Sequence, residues 1–146
     1  MKIIKNANLI TMSEKYGNIE NGYVKIQDHK IIEVGKMSDF SDSNIDAEII
    51  EAEGRITTPG LVDAHSHLGM WEDGLDFEGD DGNEDTDPCT PQLRAIDAIN
   101  PMEASFREAF ASGITTVITG PGSANPIGGQ LAAIKTCLLY TSPSPR

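Results

Sequence analysis

Cysteine is scarce. Cys89 and Cys137 are the only two in 146 residues, too few for a disulfide framework. Aromatic residues make up 5% of the chain, with a single tryptophan, Trp71. Basic residues are few: 11 Lys and Arg stand against 23 Asp and Glu, giving a net charge of −12. A surface of that sign repels phosphate backbones and anionic lipid, which argues against nucleic-acid and membrane-surface partners. Apolar runs last only a few residues, far short of the ~20 that a spanning helix needs. The opening Met1-Lys2-Ile3-Ile4-Lys5-Asn6 has no secretory apolar core or cleavage site. The expectation from these absences is a soluble cytoplasmic protein, a reading compatible with a homo-oligomer.

The acidity that remains is concentrated. Residues 72–87 hold nine Asp and Glu and no Lys or Arg, which is −9 of the −12. Such a run reads as a solvated loop. A calcium loop is the sharper alternative, with Asp76, Glu78 and Asp80 at alternate positions. It fails at its sixth residue, where Asp81 stands in place of the turn glycine.

The first 57 residues read as short strands. Two are expected at 3–6 and 8–11, and a third at 22–27, where Val24 and Ile26 alternate with Tyr23, Lys25 and Gln27. Asp28-His29 gives two-residue hairpin spacing before 30–35, which makes His29 a turn residue. Further strands are expected at 48–52 and 55–57. After Thr58-Pro59-Gly60 the pattern changes to alternating strand and helix, as in a parallel α/β sheet. Leu61-Val62-Asp63-Ala64-His65 has the look of a buried strand with a polar end. Asn100-Pro101 starts a helix whose apolar face is Met102, Phe106, Ala109 and Phe110, and Gly113 ends it. Ile114–Thr119 is the next strand, and a second helix is expected from Gln130. Cys137–Arg146, with its two prolines, departs from this pattern and reads as a non-native tail.

Chemistry points to Asp63-Ala64-His65-Ser66-His67. Residues i and i+2 of a strand share a face, about 6.6 Å apart along the chain. Two imidazoles placed in that way can lean onto one metal ion, and Asp63 is placed to orient a ligand. Three weaker positions follow from the loops. Trp71 can line a pocket beside the histidines. Asn125 and Gln130 lie in or beside the Gly120–Gly129 loop, which leaves the end of a strand. Arg94, alone among acidic neighbours, can pair with one of them or hold a substrate carboxylate. The glycine loop is not a phosphate cradle, because no Gly-Lys-Ser/Thr follows it.

Thr58-Pro59-Gly60-Leu61-Val62-Asp63-Ala64-His65-Ser66-His67 resembles the first metal signature of the amidohydrolase superfamily, which includes imidazolonepropionase, dihydroorotase and cytosine deaminase. Gly113-Ile114-Thr115-Thr116-Val117 resembles that family's second barrel strand. The stretch from Thr90-Pro91-Gln92-Leu93-Arg94 through Gly120-Pro121-Gly122-Ser123-Ala124-Asn125-Pro126 is similar to imidazolonepropionase-related members. The resemblance implies an α/β fold: residues 1–57 as part of a small β-sandwich, and 58–136 as the first third of a (β/α)8 barrel of ~250 residues. It implies that His65 and His67 are metal ligands, and that the cofactor is one or two divalent ions, zinc with iron or manganese as alternatives. It implies hydrolysis of a non-peptide C–N bond, in a cyclic amide. The catalytic Asp and the later ligands are expected beyond this N-terminal portion, so the portion alone is expected to be inactive. The rival readings are a ring deaminase of the same superfamily and a non-catalytic β-domain binding module.

Overall fold

The computed structural model describes residues 1–41, 46–72, 76–80 and 82–137. The chain is mixed α/β, with strands predominating, and divides into two units, Met1–Pro59 and Gly60–Arg146.

In the first unit β1 (Lys2–Ile10) pairs antiparallel with β2 (Asn18–Gln27), and β2 with β3 (Lys30–Lys36). The short β4 (Glu48–Glu51) and β5 (Ile56–Thr57) both run parallel to β1. The two strands expected at 3–6 and 8–11 are one strand interrupted by a bulge. Asn6 takes φ +52 there, which shifts the register between Ile4 and Ala7. Ala7, Leu9, Ile19, Val24 and Ala52 form the core on one face. The β2–β3 turn has Asp28 and His29 at φ +48 and +64, the paired positive angles of a tight hairpin turn.

On the other face the Tyr23 hydroxyl donates to Glu33, which also accepts from Lys25 Nζ at 2.7 Å. Phe40 meets the Tyr23 ring edge-on at 4.9 Å. These contacts push the Tyr23 phenol up to about 12, chiefly through its hydrogen bond to Glu33. They hold the Glu33 carboxyl below its ordinary value, Lys25 first and Tyr23 next.

In the second unit β6 (Leu61–Ser66) and β7 (Ile114–Thr119) are parallel neighbours, joined through α1 (Ala95–Ala98) and α2 (Ala104–Ala111). Among the described residues β7 is the strand partner of β6, so Leu61 and Val62 are 52% and 65% exposed rather than buried. The helix starts later than Asn100-Pro101 suggests. The Asn100 side chain accepts the Met102 N–H at 3.0 Å, closing a turn that precedes the helix. Phe106 is buried as expected, whereas Met102 and Phe110 are exposed. The expected second helix at Gln130–Lys135 is instead β8 (Ala132–Lys135), antiparallel to β7. Thr136 fixes it: its N–H donates to Thr115 O at 3.2 Å and its hydroxyl to Ile114 O at 2.5 Å. Tertiary pairing therefore outweighs the helical propensity of Ala, Leu and Lys. Residues 73–75 and 81 of the acidic segment and 138–146 of the expected tail lie outside the described residues.

Candidate metal centre

The two histidines sit where β6 runs out beside the end of β7. Gly120 N–H donates to Ser66 O at 3.2 Å, and the Thr119 hydroxyl donates to Leu68 O at 2.7 Å. These bonds fix the backbone on which His65 and His67 stand. A register shift between Asp63 and Ser66 marks a bulge at this end, a device that re-aims side chains. The His65 and His67 rings lie 5.3 Å apart at 87°. The backbone N–H of His65 donates to Asp63 Oδ1 at 3.1 Å, so this carboxylate braces the strand rather than an imidazole.

His67 Nδ1 is 2.8 Å from Gly120 O. A carbonyl oxygen only accepts, so Nδ1 carries the proton and the Nε2 lone pair is left for another partner. That is the arrangement that prepares an imidazole to ligate a metal. Tetrahedral zinc with Zn–N distances of about 2.0–2.1 Å sets two imidazole centres about 5 Å apart, which the observed separation matches. The pair therefore fits a shared divalent ion. It supplies two ligands; among the described residues no set of three His, Cys, Asp or Glu side chains is placed to hold one.

Trp71 stands against the pair, its ring 5.3 Å from His67 and edge-on to it. It packs over Gly82, where a Cβ would lie 2.1 Å from Trp71 Cζ2. The other three sequence candidates turn to protein partners. Arg94 Nε and Nη2 donate to the two carboxylate oxygens of Asp97 at 2.9 and 2.8 Å. Asn125 Nδ2 donates to Glu84 O at 2.7 Å and Asp87 O at 3.2 Å. Gln130 Nε2 donates to Pro91 O at 3.4 Å. Backbone bonds extend the same seam: Thr90 N–H to Ile127 O, Ala95 N–H to Gln130 O, and Gln130 N–H to Leu93 O. The glycine loop is thus zipped alongside residues 84–95.

Among the described acidic side chains Asp76, Glu78, Asp80, Asp85 and Asp87 are exposed, as a solvated loop requires, while Glu72 and Glu84 turn to protein partners. Glu72 accepts from Asn100 Nδ2 at 2.6 Å, and its N–H donates to Gly79 O at 3.0 Å. Glu84 accepts the Thr86 N–H at 2.7 Å and the Thr86 hydroxyl, which holds its carboxyl below the usual range. Sequence reasoning misses the Gly120 carbonyl that orients His67. The contact spans 53 positions and uses a backbone atom, so no residue type announces it.

An amidohydrolase of Thermotoga maritima MSB8, known from its crystal structure, superposes with a TM-score of 0.76 at 38% identity, over 93% of this chain and 34% of that one. The amidohydrolase tasK of Hapsidospora irregularis is 39% identical over 115 residues, 78% of this chain and 12% of that protein. The chain belongs to the amidohydrolase superfamily. Two further relatives in it are an imidazolonepropionase of Colwellia psychrerythraea, 46% identical over 70 residues, and a 5-methylthioadenosine/S-adenosylhomocysteine deaminase of Bacillus anthracis, 42% identical over 65. Those matches cover 43% and 44% of this chain. The chain spans 12–17% of the length of these curated amidohydrolase relatives. No family model matches it. No helix among the described residues is long and apolar enough to cross a membrane.

Proposed function

We propose that this chain supplies the first metal-binding strand of an enzyme that hydrolyses a non-peptide C–N bond, most naturally in a cyclic amide. The observation that carries the reading is the His65–His67 pair, with His67 Nδ1–H committed to Gly120 O and Nε2 left available. In this reading β6 and β7 begin a (β/α)8 barrel, residues 1–57 form part of a β-sandwich, and 137–146 are a non-native tail. The site then lies at the C-terminal ends of the barrel strands.

His65 and His67 would hold a divalent ion, zinc before iron or manganese. When bound, such an ion lowers the pKa of water to ~7 and polarises a carbonyl. The Gly120 carbonyl fixes the tautomer and tilt of His67, and Trp71 walls the pair on one side. Asn125 and Gln130 serve by holding the surrounding loops, their amide nitrogens engaged with carbonyl oxygens, and Arg94 pairs with Asp97 at the start of α1. The remaining ligands and the proton-handling Asp come from later barrel strands. The substrate is a small molecule and the setting cytoplasmic.

A ring deaminase is the second reading, favoured by the 42% identity to a 5-methylthioadenosine/S-adenosylhomocysteine deaminase. The test is to express the protein at full barrel length, measure bound metal, and assay cyclic amides and amino-heterocycles in parallel. Ring opening without ammonia supports the first reading, and ammonia release the second. Turnover undiminished by His65→Ala and His67→Ala together would overturn both.

A further inference from the structure

Two consecutive residues, Thr119 at the end of β7 and Gly120 after it, hold three consecutive residues around His67. Gly120 N–H donates to Ser66 O at 3.2 Å, His67 Nδ1–H to Gly120 O at 2.8 Å, and the Thr119 hydroxyl to Leu68 O at 2.7 Å. The imidazole is thus held before, at and after its own position in the chain. On the β7 side, two of these bonds use backbone atoms of Gly120, which every residue type carries. Only the third depends on a side chain, the hydroxyl of Thr119.

Strand pairing does not reach Leu68. β6 ends at Ser66, which lies opposite Thr119 in the register, so Leu68 O is past the ladder. Among the described residues no backbone N–H donates to it. The Thr119 hydroxyl stands in for that missing donor. Thr119 is 0% exposed, set between Ser66 of β6 and Ala132 of β8, so water does not compete for its hydroxyl.

We propose that Thr119 is a positioning residue for His67: by pinning the Leu68 carbonyl it keeps the imidazole against Gly120 O, with Nδ1–H donated and Nε2 presented. Its value to the enzyme rests on the reading of His65 and His67 as metal ligands, but the orientation of His67 can be measured without an ion. Thr136 is the natural contrast. It is equally buried, and its hydroxyl donates to Ile114 O at 2.5 Å, at the opposite end of β7. It braces the same sheet away from His67.

The test compares Thr119→Val, Thr119→Ala and Thr119→Ser with Thr136→Val in the full chain. Long-range 1H–15N correlation spectra of the metal-free proteins report the His67 tautomer, urea unfolding reports stability, and Co2+ titration reports affinity. Thr119→Val keeps the shape and removes the donor, and Thr119→Ala removes the same donor with less bulk against the Leu68 carbonyl. Both are expected to lose the single Nδ1–H form of His67 and to bind Co2+ at least about ten-fold more weakly. Thr119→Ser is expected to restore the wild-type tautomer and affinity. Thr136→Val is expected to lower the unfolding midpoint and leave tautomer and affinity unchanged. A wild-type His67 tautomer in both Thr119→Val and Thr119→Ala would overturn the proposal. So would Thr119→Ser failing to restore it, or Thr136→Val disturbing it equally. A tautomer that responds as expected in a protein that binds no Co2+ would support the positioning role and remove the metal reading.

Discussion

His67 Nδ1 lies 2.8 Å from the carbonyl oxygen of Gly120, a contact that ties the end of β6 to the first residue after β7. One hydrogen bond therefore sets both the position of the imidazole and its tautomer. The account predicts His67 in the Nδ1–H form at neutral pH. Long-range 1H–15N correlation spectra distinguish the two nitrogens. An Nε2–H tautomer for His67 would contradict the geometry.

Trp71 is the only tryptophan, so intrinsic fluorescence reports on the neighbourhood of His67. Gly82→Ala places a methyl within 2.1 Å of the indole and forces the ring to move. Overpacking of this kind costs typically 1–3 kcal/mol. The expected result is a lower unfolding midpoint in urea together with a shifted emission maximum. An unchanged spectrum and midpoint would show that the indole does not pack on Gly82.

Tyr23 and Glu33 give the β-rich unit opposite pH edges. The Glu33 value is depressed on folding, so its stabilisation is complete above the ordinary 4.5 and fades as pH falls through the folded value. The Tyr23 value is raised to about 12, so its stabilisation is complete below 10 and fades as pH rises toward 12. Tyr23→Phe is expected to cost about 1 kcal/mol near neutrality through the lost hydrogen bond. That deficit should shrink between pH 10 and 12, read from urea unfolding of the two proteins. A constant deficit across that range would remove the hydroxyl's role.

Asn125 clips the glycine loop to Glu84 and Asp87 by their carbonyl oxygens. Asn125→Ala is predicted to cost about 0.5–1.5 kcal/mol through the lost hydrogen bonds. Faster amide exchange at Thr90 and Gln130, on the same seam, is the measurement that checks it. Unchanged exchange there would place the seam's stability elsewhere.

What the sequence makes legible follows the range of the forces involved. The Asp28-His29 hairpin shows in its spacing because turn geometry is local. The His65–His67 pair shows because the period of a strand is local as well. Pairing of Ala132–Lys135 with β7 does not show, because those residues favour a helix and it is the register with Thr116–Thr119, remote from them in sequence, that makes them a strand. The bulge at Asn6 reads as two strands for a related reason: positive φ at one residue breaks the alternation without ending the pairing. The partners of Arg94, Asn125 and Gln130 are intermediate. Asp97 is three residues from Arg94 and open to inspection, whereas the carbonyls that hold Asn125 lie 38 and 41 positions away.

The most direct test of the central claim is titration of the full chain with Co2+ or Zn2+, with the His65 and His67 ring resonances and Trp71 fluorescence followed together. The account predicts that both imidazoles shift in step through Nε2, that the indole signal changes with them, and that His65→Ala or His67→Ala weakens binding at least about ten-fold. Ion binding that keeps full affinity in both variants, with resonances of the acidic residues 76–87 moving instead, would contradict it.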